Sequence, residues 1–492
     1  MRPLCALATR VVLARDVHIT FITPLRMHKR VVSELSRGFN EAEVERRELI
    51  RVVALDTVVE GLTSGDFIEV AKAEMDRYVQ VFTVAYDRLL TGKPITCHAT
   101  KQEFPAVAVP NIVVIDTFMG QLLPLIKKSN KQTQVVAFSS GMAAFQYLLY
   151  APATRGGRGD FKAKILQKAS ETDRPVLEVA DEWAHTFTDE IIQIPGLPRM
   201  YHWELDPQET SSMTKGFMGG LWLSLLETMN TCDGVILTTP EVYEQPAVSA
   251  FKEWFRETNR SVWALGPLLP SISSKEAIAG EESLSASSAQ ITKFMDEALA
   301  SNGKHSVLYK LESFIEVLIE KRIPFVFSHA SPMAKLTDSI KDKVEQSGLG
   351  ILTRWSPQQT LLSHPALGWF VTHSGQNSAL EAISAGVPMI CWPFSSDQPS
   401  NAVLLTEVHD VAYELLEVRA GNGLKPIYRT GKAPINTIDA LKSEAREVLD
   451  NAFGDDGARK RKNVLVLKEK FAHAWEKDGL ARLDFERFLK TL

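Results

Sequence analysis

The stretch from Gly368 to Gly386 reads GWFVTHSGQNSALEAISAG, and its reading decides the fold. An apolar run, Gly368–Thr372, is short and continuous, as in a strand buried on both faces of a parallel sheet. It ends in His373-Ser374-Gly375-Gln376-Asn377-Ser378 and passes into a segment of helical period, NSALEAISAG. Gly386 suits the left-handed residue that ends such a helix. A strand, a short turn with glycine and a helix N-terminus together make an anion site, because backbone N–H groups and the helix dipole both favour negative charge there. His373 can add a donor. Glu381 stands four residues after Asn377, one turn along the same face, where a carboxylate could accept hydroxyl protons.

The same alternation runs through the chain. Apolar strand candidates are VHITFIT at 17–23, NIVVID at 111–116, QVVAFS at 134–139, GVILTT at 234–239 and SVWALG at 261–266. A second series is SVLY at 306–309, IPFVFS at 323–328, GILTRW at 350–355, GWFVTH at 368–373, VPMICW at 387–392 and VAYELL at 411–416. Between the series lies a Ser-, Glu- and Ala-rich stretch with the composition of a linker. The expectation is an α/β protein of two doubly wound parallel-sheet (Rossmann-like) domains facing a cleft. Its divisions are 1–267, a linker at 268–290, 291–465, and C-terminal helices at 466–492 that return to the first domain. The length of 492 residues agrees with this at roughly 150 residues per domain.

Composition excludes other classes. Lys and Arg number 55 against 60 Asp and Glu, a net charge of -5, so there is no basic footprint for nucleic acid or an anionic membrane. Cys5, Cys97, Cys232 and Cys391 lie far apart, without the spacing of a zinc ribbon or a disulfide framework. That favours a reducing compartment, with the cytoplasm as the default. No apolar run reaches the roughly 18 residues that cross a membrane. The start, MRPLCALATRVVLARD, is interrupted by Arg10 and Arg15, and reads as an amphipathic helix rather than a signal peptide. G-x-G-x-x-G after the first strand and G-x-x-x-x-G-K-[ST] are both missing, which disfavours a nicotinamide dehydrogenase and a P-loop kinase.

Each residue of the 355–407 segment also has a plain structural role. Trp355 could be core, Asn377, Ser378 and Asp397 helix caps, and Glu381 a solvated face. Their joint spacing is what caps and packing do not require. The segment resembles the signature of family 1 UDP-dependent glycosyltransferases, which reads W-x-P-Q, H-P, G-x-F, T-H-x-G-x-N-S, E, G-V-P, W-P, D-Q and N-A. The matches are Trp355, Pro357, Gln358, His364, Gly368, Phe370, His373, Gly375, Asn377, Ser378, Glu381, Gly386, Pro388, Asp397, Gln398 and Asn401.

That resemblance implies the glycosyltransferase B fold and an inverting, metal-independent transfer of a sugar from a UDP-sugar to a hydroxyl of a small apolar acceptor. The UDP-sugar is a co-substrate, and no cofactor is implied. Trp355 would stack on uracil, Gln358 would contact the uridine and Glu381 would hold the ribose hydroxyls. His373, Asn377 and Ser378, with Gly375 in the turn, would bind the diphosphate. Asp397 and Gln398 would bind the sugar, and Gln398 resembles the glucose users. Gln376 departs from the plant pattern, which has Trp. Asp116, at a strand end, matches the aspartate that orients the family's catalytic histidine, and a bare helix cap is its other reading. Trp183, Trp203, Phe217, Met218 and Trp222 could line an acceptor site or form core.

Two departures bear on activity. The family's histidine lies in a Gly-His pair just before a Pro-Leu, whereas here Pro3-Leu4 follows Met1-Arg2 directly. No equivalent is offered by His18, His28, His98 or His202. SVLY also runs straight into KLESFIEVLIEKR, without a loop of Ser-Phe-Gly-Ser character. Losing a positioned base costs about 10²–10⁴ in rate, so weak or no turnover is expected. Either this is a truncated form of an active glycosyltransferase, or it is a catalytically impaired protein that only binds UDP-sugar or a partner.

Overall fold

The computed structural model describes residues 1–59, 67–209, 214–269, 287–309, 315–329 and 336–492. They form two compact units. One comprises Met1–Thr186, Ser211–Ser274 and Ala474–Leu492, and the other Phe187–Thr210 and Lys275–His473.

The first unit opens with α1 (Arg2–Ala14), which carries Pro3 in its first turn, where a missing N–H costs nothing. Its buried apolar residues include Cys5, Leu7, Ala8, Val11 and Val12, as an amphipathic helix requires, while Leu4 is half-buried. Strands β1 (Ile19–Pro24) and β2 (Ile50–Leu55) pair in parallel from Ile19–Ile50 to Pro24–Leu55. The other longer strands are β3 (Ile112–Asp116), β4 (Gln134–Ser139), β5 (Gly234–Leu237) and β6 (Ser261–Ala264). They make a separate parallel sheet in the order β6-β5-β4-β3.

Among the described residues the unit's longer strands therefore form two parallel sheets rather than one, beside a short antiparallel pair of Ile95–Thr96 with Glu103–Phe104. β2 was absent from the strand expectations because Arg51 breaks its apolar run. The Arg51 guanidinium donates to Thr20 Oγ1 (2.9 Å) and to the Pro105 carbonyl (2.6 Å), which lets the charge leave the strand laterally. The core gathers Leu7 and Val11 of α1, Val136, Phe138, Ile236 and Trp263 of the sheet, and Phe485, Phe488 and Leu489 of the C-terminal helix Leu480–Leu489. That helix is fastened by Asp484, fully buried, which accepts the Ala264 N–H (3.0 Å) and pairs with Lys252 (3.1 Å) and Arg487.

The second unit is built on one six-stranded parallel sheet. Its strands are β7 (Val307–Tyr309), β8 (Phe325–Ser328), β9 (Gly350–Thr353), β10 (Leu367–Thr372), β11 (Met389–Cys391) and β12 (Ala412–Glu414). Their order is β9-β8-β7-β10-β11-β12. The order reverses between β7 and β10, and in open α/β sheets ligands bind at the carboxyl ends of the strands flanking such a reversal. Phe325, Phe327, Trp369, Val371 and Ile390 of the sheet pack against helix residues such as Ala445 and Leu449, and Trp369 donates to the Ala452 carbonyl (3.1 Å). The abrupt junction after SVLY falls on residues 310–314, outside the described residues, as does most of the 268–290 stretch. No helix among the described residues is long and apolar enough to cross a membrane. All four cysteines are free and buried.

On the helix Ile438–Ala452, Glu444 accepts the N–H groups of Leu416 (2.7 Å) and Glu417 (3.0 Å). Burial pushes its pKa up to about 7, against the pull of those two N–H groups. A carboxyl raised in the folded state contributes stability that is full below its unfolded value near 4.5 and is lost as pH rises through about 7. Wild type should therefore lose stability relative to Glu444→Gln between pH 5 and pH 8, by no more than about 1.4 kcal/mol per pH unit. Parallel melting curves for the two proteins over that range would reveal it; a constant gap would mean that Glu444 does not titrate there.

Candidate functional site

β10 delivers its carboxyl end into the turn His373–Gly375. Ser374 is fully buried and takes a left-handed backbone at φ +66, uncommon for a residue with a Cβ. Its N–H donates to Thr372 Oγ1 (3.2 Å), which holds the reversal. Gly375 is required for a different reason: a Cβ there would lie 2.6 Å from His373 Nε2. The imidazole thus lies over the glycine at the N-terminus of the helix Gln376–Ala385, where Gly375 is the N-cap and no side chain caps the helix. Asn377 is exposed and Ser378 half-buried in its first turn. Gly386 ends the helix at φ +80, as its sequence position implies.

A second loop meets this helix. After β9, Thr353 Oγ1 donates to the Trp355 carbonyl (2.8 Å), and Pro357 N-caps the short helix Gln358–Ser363. Gln358 Nε2 then donates to Glu381 Oε2 (2.8 Å) and approaches Ser378 Oγ (3.4 Å). Gln358, Ser378 and Glu381, far apart in sequence, become one hydrogen-bonded group beside the β10 turn. Trp355 is half-buried on the same loop, three residues before Gln358. Glu381 is not the solvated helix face that its position alone allowed: it is 7% exposed.

Asp397 and Gln398 follow β11, the neighbour of β10. Gln398 Oε1 accepts the N–H groups of Phe394 (2.9 Å) and Ser395 (3.4 Å), so its amide is tied into a turn whose Ser396 has φ +60. Asp397 is the N-cap of the helix Gln398–Val403, but its side chain makes no capping bond. His364 serves the loop before β10, with Nδ1 accepting the Ala366 N–H (3.2 Å) and Nε2 beside Asp296 (3.2 Å).

Asp116 belongs to the first unit. One carboxylate oxygen accepts the Phe118 N–H (3.0 Å), so it caps the turn Thr117–Met119. Burial raises its pKa above the ordinary carboxylate value. Burial likewise pushes the Tyr78 phenol up, and the charge of Asp116 adds to that. Among the described residues no histidine is hydrogen-bonded to Asp116. The aromatic residues considered for an acceptor divide. Trp183 and Trp222 flank Phe161 in the first unit, at 5.2 and 6.5 Å between ring centroids. Trp203 lies in the second unit, 1% exposed, stacked on Tyr201.

Sequence reasoning passed over two residues of this site. Gln359 is 1% exposed and donates to Glu381 Oε1 (3.2 Å). An amide placed just before the core residues Leu361 and Leu362 was the available signal. For Ser374 the sequence carried none.

A family profile described as UDP-glucuronosyl and UDP-glucosyl transferase matches residues 238–419, which contain the loops after β9, β10 and β11 but not Asp116. A UDP-glycosyltransferase of Hericium erinaceus, eriJ, is 33% identical over 63% of the chain. Over these residues the chain is similar to the UDP-glycosyltransferase family. A zeatin O-xylosyltransferase of Phaseolus vulgaris is 28% identical over 52% of the chain. The match spans 65% of the fungal relative and 56% of the bean one, less than two thirds of either. The fold matches a transferase of Siraitia grosvenorii solved in complex with UDP, with a TM-score of 0.67, 18% identity and coverage of 99% and 96% of the two chains. The chain has the glycosyltransferase B fold.

Proposed function

We propose that this chain transfers a sugar from a UDP-sugar, UDP-glucose in the first instance, to a hydroxyl of a small apolar acceptor, with inversion and without a metal or other cofactor. The observation that carries the reading is the convergence of Gln358, Ser378 and Glu381 beside the His373–Gly375 turn, at the reversal of strand order. The parts of the UDP-sugar have separate places there. The α-helical N-terminus and His373 suit a diphosphate, and stabilise it best once it carries the charge of a leaving group. The Glu381 carboxylate suits ribose hydroxyls, Trp355 offers a flat face for uracil, and Asp397 and Gln398 hold the sugar. Support from similar proteins is of the same kind: the Siraitia protein is solved with UDP, and a Phytolacca americana enzyme with UDP-2-fluoro-glucose and pterostilbene. Four unpaired cysteines fit a reducing compartment, and the cytoplasm is proposed on that ground.

A second reading is that the chain binds the nucleotide sugar with little turnover. The observation favouring it is Asp116, whose hydrogen-bond partner among the described residues is a backbone N–H and not an imidazole. Calorimetric melting with and without UDP tests the donor site common to both readings. UDP at a hundred times its Kd should add about 2.7 kcal/mol to stability. No shift at millimolar UDP would sink both. Given a shift, release of UDP from UDP-glucose in the presence of a hydroxylated aromatic acceptor separates transferase from binding protein.

A further inference from the structure

Gln359 is the least expected residue at the donor site. It sits in the first turn of the helix Gln358–Ser363, followed by Leu361 and Leu362, both buried, and is itself 1% exposed. A side-chain amide so deeply placed costs free energy unless it is hydrogen-bonded, and a leucine or methionine there would carry no such cost. What it meets is a carboxylate. Gln359 Nε2 donates to Glu381 Oε1 (3.2 Å), while its neighbour Gln358 donates to Oε2 (2.8 Å). Consecutive residues leave a helix roughly 100° apart, yet both side chains reach Glu381, one to each oxygen.

The two glutamines are not equivalent. Gln358 is half-buried, and its amide also approaches Ser378, so its bond to Glu381 is one that an incoming hydroxyl can replace. Gln359 is enclosed and stays. Hydrogen bonds to an ionised acceptor are stronger than neutral ones and favour the charged form. Each carboxylate oxygen has two lone pairs, so it can accept from a hydroxyl beside its glutamine. We infer that Gln359 is a positioning residue for nucleotide recognition: it fixes Glu381 as an oriented acceptor, so that selection of a ribose over a deoxyribose passes through a side chain that does not touch the nucleotide. This rests on the donor-site reading of Glu381 given above.

The test compares Gln359→Met, which keeps volume and removes the donor, with wild type. The readouts are the affinities for UDP and for 2′,3′-dideoxy-UDP, each by titration calorimetry on the full chain. Gln359→Met should bind UDP roughly tenfold more weakly and the dideoxy nucleotide within twofold of wild type, so that the preference for UDP collapses by about the same tenfold. A residue with only a packing role would lower the melting temperature and weaken both nucleotides alike, and that result overturns the inference, as does an unchanged preference. Gln359→Asn, one methylene too short to reach Glu381, serves if the methionine variant does not fold, and should lose the same preference. Wild-type protein that binds neither nucleotide would refute the donor site itself and this inference with it. Wild-type binding with an unaltered ratio in the variants refutes this inference alone.

Discussion

Replacing Glu204 by alanine should destabilise the second unit by about 3–5 kcal/mol, the cost of breaking a buried ion pair from one side. Glu204 is 1% exposed and spends both oxygens. One accepts the N–H groups of Tyr201 (2.9 Å) and Tyr428 (2.9 Å), and the other accepts from Arg429 (3.0 Å). Arg429 continues to Glu414 (2.9 Å), which also pairs with the buried Arg419 (2.7 Å). Arg429 therefore sits between Glu204 and Glu414, and Glu414 between Arg429 and Arg419, in a chain of alternating charge. Alanine would leave Arg429 short of a partner and two backbone donors unpaired, in a place where water does not substitute.

The same network fixes the segment Met200–Glu209 against residues 420–429. Ala420 donates to the Pro207 carbonyl (2.9 Å), and a Cβ on Gly423 would fall 2.2 Å from that oxygen. Gln208 Nε2 meanwhile holds the Pro393 carbonyl (2.7 Å), next to the turn that carries Asp397 and Gln398. A loss of that size in a unit of this length corresponds to a fall on the order of 10 °C in melting temperature, read by calorimetry. Glu204→Gln, which keeps an acceptor for the two N–H groups but not the charge, should fall between the two. A loss below about 1 kcal/mol for alanine would mean that water reaches Arg429 and the two N–H groups once the carboxylate is gone, so that no buried charge is left unpaired.

How legible all this was in the sequence depended on the physics of each part. The strands of the second unit could be read because they are buried on both faces, so that composition alone marks them: Phe325–Ser328 and Leu367–Thr372 are buried throughout. β2 could not, since Arg51 exits sideways to Thr20 and Pro105, a route visible only once β1 lies beside it. The donor site was legible as spacing, because a strand end, a turn and a helix N-terminus are local. What made Glu381 more than a helix-face carboxylate was not local. Its two glutamine partners come from a different loop, and one of them, Gln359, stands at a position that periodicity assigns to core. The Glu204–Arg429–Glu414–Arg419 chain was invisible for the same reason: single charges in sequence give no hint that they will be buried together. Nor did anything near Trp203 show that its segment packs in the second unit and not the first.

Substitution of Glu381 should have the largest effect on ligand binding. Glu381→Ala is expected to weaken UDP by roughly a hundredfold, the worth of two hydrogen bonds to a charged acceptor in a desolvated site. Affinity for 2′,3′-dideoxy-UDP should change far less. Glu381→Gln should be nearly as damaging as alanine, despite its shape. An amide presents one acceptor oxygen and one NH2 group, and both places are already faced by donors, Gln359 at Oε1 (3.2 Å) and Gln358 at Oε2 (2.8 Å). Unless Gln358 turns its own amide over, an NH2 group meets an NH2 group, and in either arrangement the charge and one acceptor oxygen are lost. The two variants therefore separate charge and hydrogen-bond polarity from packing, since glutamine fills the site and alanine does not. Titration calorimetry with both nucleotides decides the matter. If Glu381→Ala binds UDP as wild type does, the ribose does not lie on Glu381, and the placing of uracil on Trp355 and of the diphosphate on the His373–Gly375 turn fails with it, because all three distances are set by one nucleotide.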